Sequence, residues 1–470
     1  MNDREGAVGQ VQCARRRLAR WPWRSPWGLI HTKRWLHRRQ VMMFVIAALV
    51  VGLIAAVFSI GITWATNAFT RMDRARPWLP FLVCPAGLGA IVFVTRNVFP
   101  GAQGSGIPQA MAGLRMPNPR QVDRLLSWRI AIGKLSLTLA GFLCGASIGK
   151  EGPIVQIGCS VMNNVGRMGL PRTAGLQRLL IVAGGAAGIA GAFNAPLAGA
   201  VFAIEEMAHH YDATAGRSVL AAAMLSGLTL FAVFGANFYF GSTGAVLPFG
   251  AYWLLIPVAG VAGGLAGGFW AQILVSPMRF LPRGVSRFAH RRPLLFAVGC
   301  GFALALLGWL SGGLVFDASY AQARAAVHGT ALLPMSFAPL KWAATLVSYL
   351  SGIPGGIFAP SLAVGAGLGA MLSRVMVATH LLPGLPVGAM AMVGMTGYFA
   401  GVVQSPITAA VIVVEMTNDP AMTVAVGLAA GLGSICSKLV CPVPIYEAMA
   451  RQFFAAVAEP PPAGVPAAHD

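Results

Sequence analysis

Acidic side chains are scarce in this chain, since only 14 of its 470 residues are aspartate or glutamate. Charged residues of both signs together make up 10% of the sequence, whereas soluble globular proteins carry about 25%. This shortage excludes an ordinary soluble domain. A hydrophobic content of 56% points instead to a protein that spans a membrane.

Charge is absent from several long stretches, each of which we interpret as one or more membrane spans. About 20 apolar residues are enough for a helix to cross a bilayer. Backbone polar groups must be paired in lipid, and the alternating pattern of a porin barrel is missing, so the spans are predicted to be helices. The predicted fold class is therefore an all-α integral membrane protein. The uncharged stretches are residues 40–70, 77–95, 179–204, 218–278, 293–316, 342–373 and 375–414.

Basic residues are concentrated at the start of the chain, where ten of the 34 lysines and arginines fall within residues 1–39. A net charge of +20 would suggest a nucleic-acid partner for a soluble protein. Placed directly before the first apolar stretch, however, this charge follows the positive-inside pattern of a cytoplasmic N-terminus, and we expect no nucleic-acid partner. The predicted domains are a basic segment at 1–39 with an interfacial helix, a transmembrane domain at 40–450 and a disordered cytoplasmic tail at 451–470. The interfacial helix is expected to carry Trp21, Trp23, Trp27 and Trp35.

The seven cysteines form no C-x-x-C pair and no spacing typical of a metal site. They are typical of small apolar residues inside helices. We therefore expect no disulfide framework, no metal and no other cofactor.

Two pairs of similar segments indicate that the chain consists of two related halves. NAPLAGAVFAIEEM at 194–207 resembles QSPITAAVIVVEMTN at 404–418, and their prolines are 210 residues apart. GKEGPIVQIG at 149–158 resembles GGIFAPSLAVG at 355–365, and there the prolines are 207 residues apart. Interrupted helices that recur in both halves of a membrane protein are the best sequence indication of a transporter's binding site. The halves are expected at about residues 40–215 and 250–450.

Four glutamates adjoin the long apolar stretches. A carboxylate at membrane depth costs about 3 kcal/mol on insertion scales, so each of the four is a candidate functional group. For the last three of them, the sequence leaves open the alternative that each marks the end of a span. The four are Glu151, Glu205, Glu206 and Glu415.

Glu151 differs from the others because it lies at a glycine–proline helix start, GKEGP. Open backbone amides and the positive end of the helix dipole attract an anion at such a place. A tethered carboxylate competes with a mobile anion there, and protonation removes its charge and lets it swing away. We therefore predict a gate that couples anion movement to protons. Lys150 either adds positive potential near the outer mouth or is an interfacial anchor.

Two further stretches supply similar anion sites. GSGIP at 104–108 places Ser105 on a glycine-flanked turn before a proline-started helix. GGIFAP at 355–360 places the amides of Ile357 and Phe358 at the start of another helix. Hydroxyls and amides bind an anion less tightly than a fixed lysine or arginine, which is what conduction requires.

GSGIP, GKEGP, GGIFAP and the late tyrosine in VPIYEAM resemble, in the same order, the four ion-pathway segments of the CLC family of chloride channels and chloride/proton exchangers. The resemblance covers about residues 40–450. It implies a CLC-type fold of many tilted and broken helices in two inverted repeats. It also implies a homodimer in which each subunit has its own pore.

The resemblance assigns roles to individual positions. Glu151 is expected to be the gate, and Glu206 to transfer protons on the internal side. The expected external anion site is the backbone of Lys150, Glu151 and Gly152. The residues expected to bind chloride are Ser105, Ile357, Phe358 and Tyr446.

The function that the resemblance implies is chloride/proton antiport, with chloride and protons as substrates and no enzymatic activity. Glu206 favours an exchanger, because channels of the family usually have an uncharged residue there. An uncoupled voltage- or pH-gated chloride channel of the same family remains an alternative. Ser105 favours chloride, because nitrate-preferring relatives have proline at that position. The expected location is a bacterial inner membrane, with a multi-pass chain in the lipid bilayer and both termini in the cytoplasm.

A remote alternative is an intramembrane serine hydrolase. GASIG at 145–149 fits the G-x-S-x-G nucleophile pattern, and His380 lies in an uncharged stretch. That pattern requires a strand–turn–helix context. Here it lies in an apolar helix, where small residues favour helix packing.

Overall fold

The computed structural model describes residues 26–168, 173–208, 213–235, 239–330 and 333–458. The chain divides into two compact units, residues 1–43 and residues 44–470. The described part of the first unit is the beginning of one helix, and the rest of the basic segment, with Trp21 and Trp23, lies outside the described residues. All contacts given below belong to the second unit.

The described residues form α-helices joined by turns, with a π-helical segment at Ala203–Ala208 and short 3-10 turns at Ala251–Leu254 and Pro420–Met422. Within them, extended backbone pairs only at two isolated bridges, Gly104 with Pro354 and Gly149 with Gly356. In chain order the helices are α1 Pro26–Ala75, α2 Pro80–Asn97, α3 Ile107–Arg115, α4 Pro119–Leu125, α5 Trp128–Leu143, α6 Glu151–Arg167, α7 Ala174–Phe193, α8 Pro196–Phe202, α9 Ala213–Phe234, α10 Leu255–Val275, α11 Pro277–Phe280, α12 Arg283–Arg291, α13 Pro293–Leu310, α14 Tyr320–His328, α15 Phe337–Leu350, α16 Phe358–Ala378, α17 Val387–Val403, α18 Pro406–Thr417, α19 Thr423–Ser437 and α20 Ile445–Ala458.

The first eight residues of the predicted disordered tail, 451–458, are helical instead. These residues belong to α20, because Phe453 and Phe454 pack against the core. Residues 459–470 lie outside the described residues.

Nine helices among the described residues are long and apolar enough to cross a membrane. Many of their outward-facing side chains are large, apolar and exposed, which suits contact with lipid rather than water. The prediction of an all-α integral membrane protein is confirmed. Examples of these exposed side chains are Val57, Trp64, Phe302 and Trp309.

Proline begins seven of the helices, because the first turn does not need its missing N–H and its φ angle is already helical. Helices α7 and α17 end at residues with positive φ, Asn194 at 54° and Gln404 at 63°. In both halves a proline follows two residues later and begins the next helix, α8 or α18. The two similar segments of the sequence therefore have the same local geometry.

Two fully buried lysines, 207 residues apart in the sequence, hold loops in the two halves. On α5, the Lys134 ammonium donates to the carbonyl oxygens of Ala102 and Gly104, each at 2.7 Å. On α15, the Lys341 ammonium donates to the carbonyl oxygen of Asp317 at 2.6 Å. A buried ammonium group needs such acceptors. The repeated spacing adds a further pair of equivalent positions to the two halves.

Glycines let α10 pack directly against α17 and α19. A Cβ atom at Gly264 would overlap the carbonyl oxygen of Gly433, and one at Gly401 would lie 2.7 Å from the Cα of Gly264. Small residues allow such close approach of helices in membranes. The interpretation of the GGLAGGF segment, residues 263–269, as a helix-packing surface is confirmed.

We expect Gly264→Ala to lower the free energy of unfolding by about 1–3 kcal/mol, because the added methyl group overpacks the crossing of α10 and α19. The matched control is Gly427→Ala on α19, where an added Cβ meets no atom within 4 Å. That variant should be unchanged or more stable by up to about 1 kcal/mol, since alanine favours helix over glycine. Thermal unfolding in detergent measures both, and equal stability of the two variants would contradict the packing argument.

Candidate ion pathway

Backbone hydrogen bonds join the three interrupted segments that the sequence singles out. Gly149 and Gly356 exchange two bonds, each N–H donating to the other residue's carbonyl oxygen at 2.7 Å. Gly104 accepts from the N–H of Gly355 at 3.0 Å and donates to the carbonyl oxygen of Ile353 at 3.2 Å. GSGIP, GKEGP and GGIFAP are distant in sequence and lie side by side in the fold. We call this place the junction.

Three helices begin at the junction: α3 at Ile107, α6 at Glu151 and α16 at Phe358. All three starting residues are fully buried. The N–H groups of a helix's first turn have no acceptor within the helix, and the helix dipole adds positive potential there. The junction is therefore a buried region that attracts anions.

The Glu151 carboxylate lies in this region and is fully buried. One of its oxygens accepts a hydrogen bond from the hydroxyl of Tyr320, and the other accepts from the N–H of Ala359 at 3.4 Å. Ala359 is in the first turn of α16, so the carboxylate lies at the starts of two helices, α6 and α16. It occupies a place that suits a mobile anion.

Lys150 is buried, and its ammonium group donates to the Ser59 hydroxyl at 2.8 Å. The same group lies 4.9 Å from the centroid of the Tyr239 ring, a cation–π contact. Tyr239 packs in turn against Tyr320, with ring centroids 4.5 Å apart. Lys150 and Tyr239 line a cavity of about 880 Å³. Lys150 thus brings positive charge to a cavity beside Glu151.

The hydroxyl groups of Ser105 and Tyr446 are buried, and neither oxygen has a hydrogen-bond partner among the described residues. Buried polar groups are nearly always paired, so two buried hydroxyls without a protein partner in the described chain are suited to bind a ligand. Ser105 lies against Gly152, where a Cβ atom would overlap the serine hydroxyl. The Tyr446 ring lies 5.8 Å from the ring of Phe358. Both hydroxyls therefore border the junction.

Aromatic packing holds the start of α16 in place. Phe358 is fully buried and Ile357 nearly so. The Phe358 ring is surrounded by other aromatic rings at centroid distances of 4.8 to 6.3 Å. The first amides of this helix are thereby fixed in position. The surrounding rings are Phe193, Phe202, Phe399 and Tyr446.

An ion-pair cluster ties the helix that carries Tyr446 to the end of α3. Glu447 pairs with Arg115, the last residue of α3, and with Arg451 at 3.0 Å. Partial burial acts to raise the pKa of Glu447, but the two guanidinium groups outweigh it and hold the pKa below its ordinary value. Glu447 therefore stays ionised and ties the start of α20 to the end of α3.

Glu206 lies in the π-helical segment that follows α8 and is buried. One carboxylate oxygen accepts from the hydroxyl of Ser405, and the other is buried without a partner among the described residues. π-Helical turns are frequent at functional sites. Glu206 is a second buried carboxylate, held by a residue of the other half.

Glu205 and Glu415, 210 residues apart, make equivalent contacts across the two halves. The Glu205 carboxylate accepts from the N–H groups of the second and third residues of α18, at 3.1 and 2.6 Å. The Glu415 carboxylate accepts from the second and third residues of α8, at 3.1 and 2.8 Å. We call these contacts the reciprocal caps. Backbone N–H groups donate to both carboxylates, so both glutamates have a structural role as helix caps.

The structure thus brings seven of the predicted site residues to the junction and places Glu206 in the π-helical segment. Sequence reasoning missed Tyr320 and Tyr239, because no motif surrounds them. It also missed Ser405, which lies in the repeated QSPIT segment but was not singled out there. Lys134 could have been recognised from the sequence as a repeated position, since Lys341 follows it at 207 residues, the same spacing as between the GKEGP and GGIFAP prolines. The seven residues at the junction are Ser105, Lys150, Glu151, Gly152, Ile357, Phe358 and Tyr446.

The serine of the GASIG motif lies in the connection between α5 and α6, not in a helix as the sequence suggested, and it has packing partners. The Ser147 hydroxyl lies 2.9 Å from that of Thr345, and the Ser147 N–H donates to the Ser348 hydroxyl at 3.0 Å. His380 is exposed at the end of α16 and is not among these partners. The contacts do not favour a hydrolase site.

We expect Glu205→Ala and Glu415→Ala each to lower the free energy of unfolding by about 1–2 kcal/mol, the loss typical of a removed helix cap. Glu205→Gln and Glu415→Gln keep one acceptor oxygen and should lose less. Thermal unfolding of the purified variants measures the difference. If the alanine variants match the wild type, the reciprocal caps contribute nothing to stability.

Comparison with known proteins identifies relatives of this chain. The family model of the voltage gated chloride channel matches residues 86–438. The chain is similar to the H(+)/Cl(-) exchange transporter ClcA of Vibrio vulnificus, with 30% identity over 429 residues that make up 87% of this chain and 89% of the relative.

Two solved structures resemble the fold of this chain. A slow cyanobacterial Cl-/H+ antiporter matches 90% of this chain and 99% of its own, with a TM-score of 0.72 and 24% identity. A eukaryotic CLC transporter matches 87% of this chain and 74% of its own, with a TM-score of 0.69 and 20% identity. These likenesses confirm the predicted CLC-type fold. Given the family match over most of its length and the similarity to the Vibrio relative, the chain belongs to the voltage gated chloride channel family, the CLC family.

Proposed function

We propose that the protein exchanges chloride for protons across a membrane. The observation that carries this proposal is the buried Glu151 carboxylate, which takes an anion's place at the start of α16. The name of the Vibrio relative, an H(+)/Cl(-) exchange transporter, supports the same activity. The protein is a transporter in this proposal and not an enzyme.

Chloride binds at the junction in two places. The central site is formed by the two unpaired hydroxyls, of Ser105 and Tyr446, and by the amides of Ile357 and Phe358. The external site is formed by the backbone of residues 150–152, where the Glu151 carboxylate competes with the ion. In the described part of the chain, no lysine or arginine hydrogen-bonds the hydroxyl of Ser105 or Tyr446, so chloride binds there and can leave.

Glu151 is the gate. As a carboxylate it is held by the N–H of Ala359 and the hydroxyl of Tyr320, and it blocks the external site. Protonation removes the charge that these donors and helix dipoles favour, so the side chain leaves and chloride enters. Chloride and a proton therefore use the same position in turn.

Glu206 transfers protons between Glu151 and the internal solution. It is buried, and it has one carboxylate oxygen without a partner among the described residues. Glu205 beside it is occupied by the start of α18. Of the two neighbouring carboxylates, Glu206 is the one whose acceptor capacity is not filled.

We expect a homodimer with one pore per subunit, because one chain supplies every group of the pathway. Exposed apolar side chains on α9 and α19 offer a surface that a second copy can cover. The bacterial relative and the basic residues at 1–39 support a bacterial inner membrane with cytoplasmic termini. The apolar residues are Leu220, Met224, Leu228, Val424, Leu428 and Ile435.

Purified protein in chloride-loaded liposomes tests the proposal when chloride and proton movements are recorded together. In the wild type, an imposed chloride gradient should drive protons uphill. Glu151→Ala and Glu206→Gln should still pass chloride but lose proton coupling, because each removes one carboxylate from the proton route. The matched control is Glu205→Gln, which alters the neighbouring carboxylate and should keep coupling.

Two results would overturn parts of the proposal. Chloride flux without proton movement in the wild type would identify an uncoupled channel and remove the role of Glu206. If neither ion moves while the protein stays folded, chloride/proton exchange fails for this chain.

Tyr320 is a positioning residue for the gate in this proposal. Tyr320→Phe removes one donor to the Glu151 carboxylate and keeps the ring that packs on Tyr239. We expect faster chloride turnover with coupling retained, because the seated carboxylate leaves more readily. The matched control is Tyr252→Phe, which removes a hydroxyl that donates to Pro383 at 2.9 Å away from the junction. A slower Tyr320→Phe variant would mean that the hydroxyl supports structure rather than closing the gate.

A further inference from the structure

A cleft of about 500 Å³ lies outside the ion pathway, between the end of α2 and the beginning of α13. Helix α12 and the residues before it close one side. The polar side chains that line the cleft include Arg96, Ser286 and His290. We call it the basic cleft.

Helix α12 is amphipathic. Arg283, Arg287 and Arg291 recur every fourth residue and form one stripe, and His290 lies beside it. Val285 and Phe288 lie on the opposite side and are 38% and 44% exposed. A helix with an exposed basic stripe and an exposed apolar side is typical of a membrane interface.

Positive charge around the basic cleft is not neutralised by nearby acidic residues. The sequence contains no aspartate or glutamate between Asp212 and Asp317. In the part of the chain that the structure describes, the arginines of α12 and Arg96 form no ion pair. Asp123 lines an adjoining cavity, together with Arg124 and Arg129. The cleft therefore carries a net positive potential and suits an anionic group.

The other lining residues of the basic cleft are apolar, among them Val92, Phe296 and Leu350. Helices α2 and α13 are both candidate membrane spans. The cleft lies where α2 ends, at Thr95 and Arg96, and where α13 begins. It is thus at the boundary of the membrane, with a polar rim beside an apolar lining.

We infer that the basic cleft binds one anionic phospholipid, with the phosphate headgroup near Arg96 and His290 and an acyl chain along the apolar lining. Charge selects the headgroup, because Arg96 and His290 line the cleft and α12 contains no carboxylate that would oppose an anion. The apolar lining distinguishes a lipid from a free anion. The cleft also borders Gln103 and Gly352, which adjoin the segments that meet at the junction.

Native mass spectrometry of the full-length protein in detergent tests this inference. Phosphatidylglycerol and phosphatidylcholine with identical acyl chains are titrated onto the protein, and inorganic phosphate is added in a separate arm. The wild type should retain one phosphatidylglycerol in preference to phosphatidylcholine, and millimolar phosphate should not displace it. In Arg96→Gln/His290→Gln, which removes the two basic side chains that line the cleft, affinity for phosphatidylglycerol should fall at least about fivefold.

The matched control is Arg76→Gln. Arg76 is exposed before the start of α2, 20 residues from Arg96 in the sequence, and therefore lies at the other end of that helix. It should retain phosphatidylglycerol as the wild type does.

Equal retention of the two lipids by the wild type would overturn the inference, as would unchanged affinity in the double variant. Displacement of the lipid by phosphate would assign the cleft to a free anion instead. An equal loss in Arg76→Gln would show nonspecific attraction to positive charge. The lipid comparison and the phosphate arm use the wild type alone, so they remain decisive if the double variant does not fold.

Discussion

The paired hydrogen bonds between Gly149 and Gly356 solve the central difficulty of this structure. A helix that breaks at membrane depth leaves backbone groups that lipid cannot satisfy. Here the broken ends satisfy one another, and Gly104 adds its bonds to Ile353 and Gly355. Because the broken segments pair with each other, the starts of α3, α6 and α16 meet in one buried place. Their free amides are then available to an anion, and every group of the pathway is arranged around them.

Both buried carboxylates of the pathway belong to the first half of the chain and are held by the second. Glu151 accepts from Tyr320 and Ala359, and Glu206 accepts from Ser405. A shift of one half against the other would therefore change the donors of both carboxylates at once. Proton uptake and the packing of the two halves are linked by these contacts.

Local chemistry made the broken segments predictable, while their partners were not. Glycine and proline act on their own backbone, so GSGIP, GKEGP and GGIFAP revealed where helices break and where anions bind. Tyr320 lies 169 residues from Glu151, and no pattern in the sequence connects the two. From the sequence alone, Glu205 and Glu415 could each be the end of a span or a functional group. The helix starts that they cap lie in the opposite half, so no local pattern reveals these contacts. Residues 451–458 were predicted to be disordered, because composition does not show that Phe453 and Phe454 pack against the core.

The reciprocal caps impose an order on biosynthesis. The amides at the start of α8 are synthesised long before their acceptor, because 217 residues separate Ala198 from Glu415. At about 5–20 residues per second, the ribosome needs roughly 10–40 s to supply that glutamate. During this interval the first half is in the membrane with uncapped amides, and it cannot reach its final packing alone.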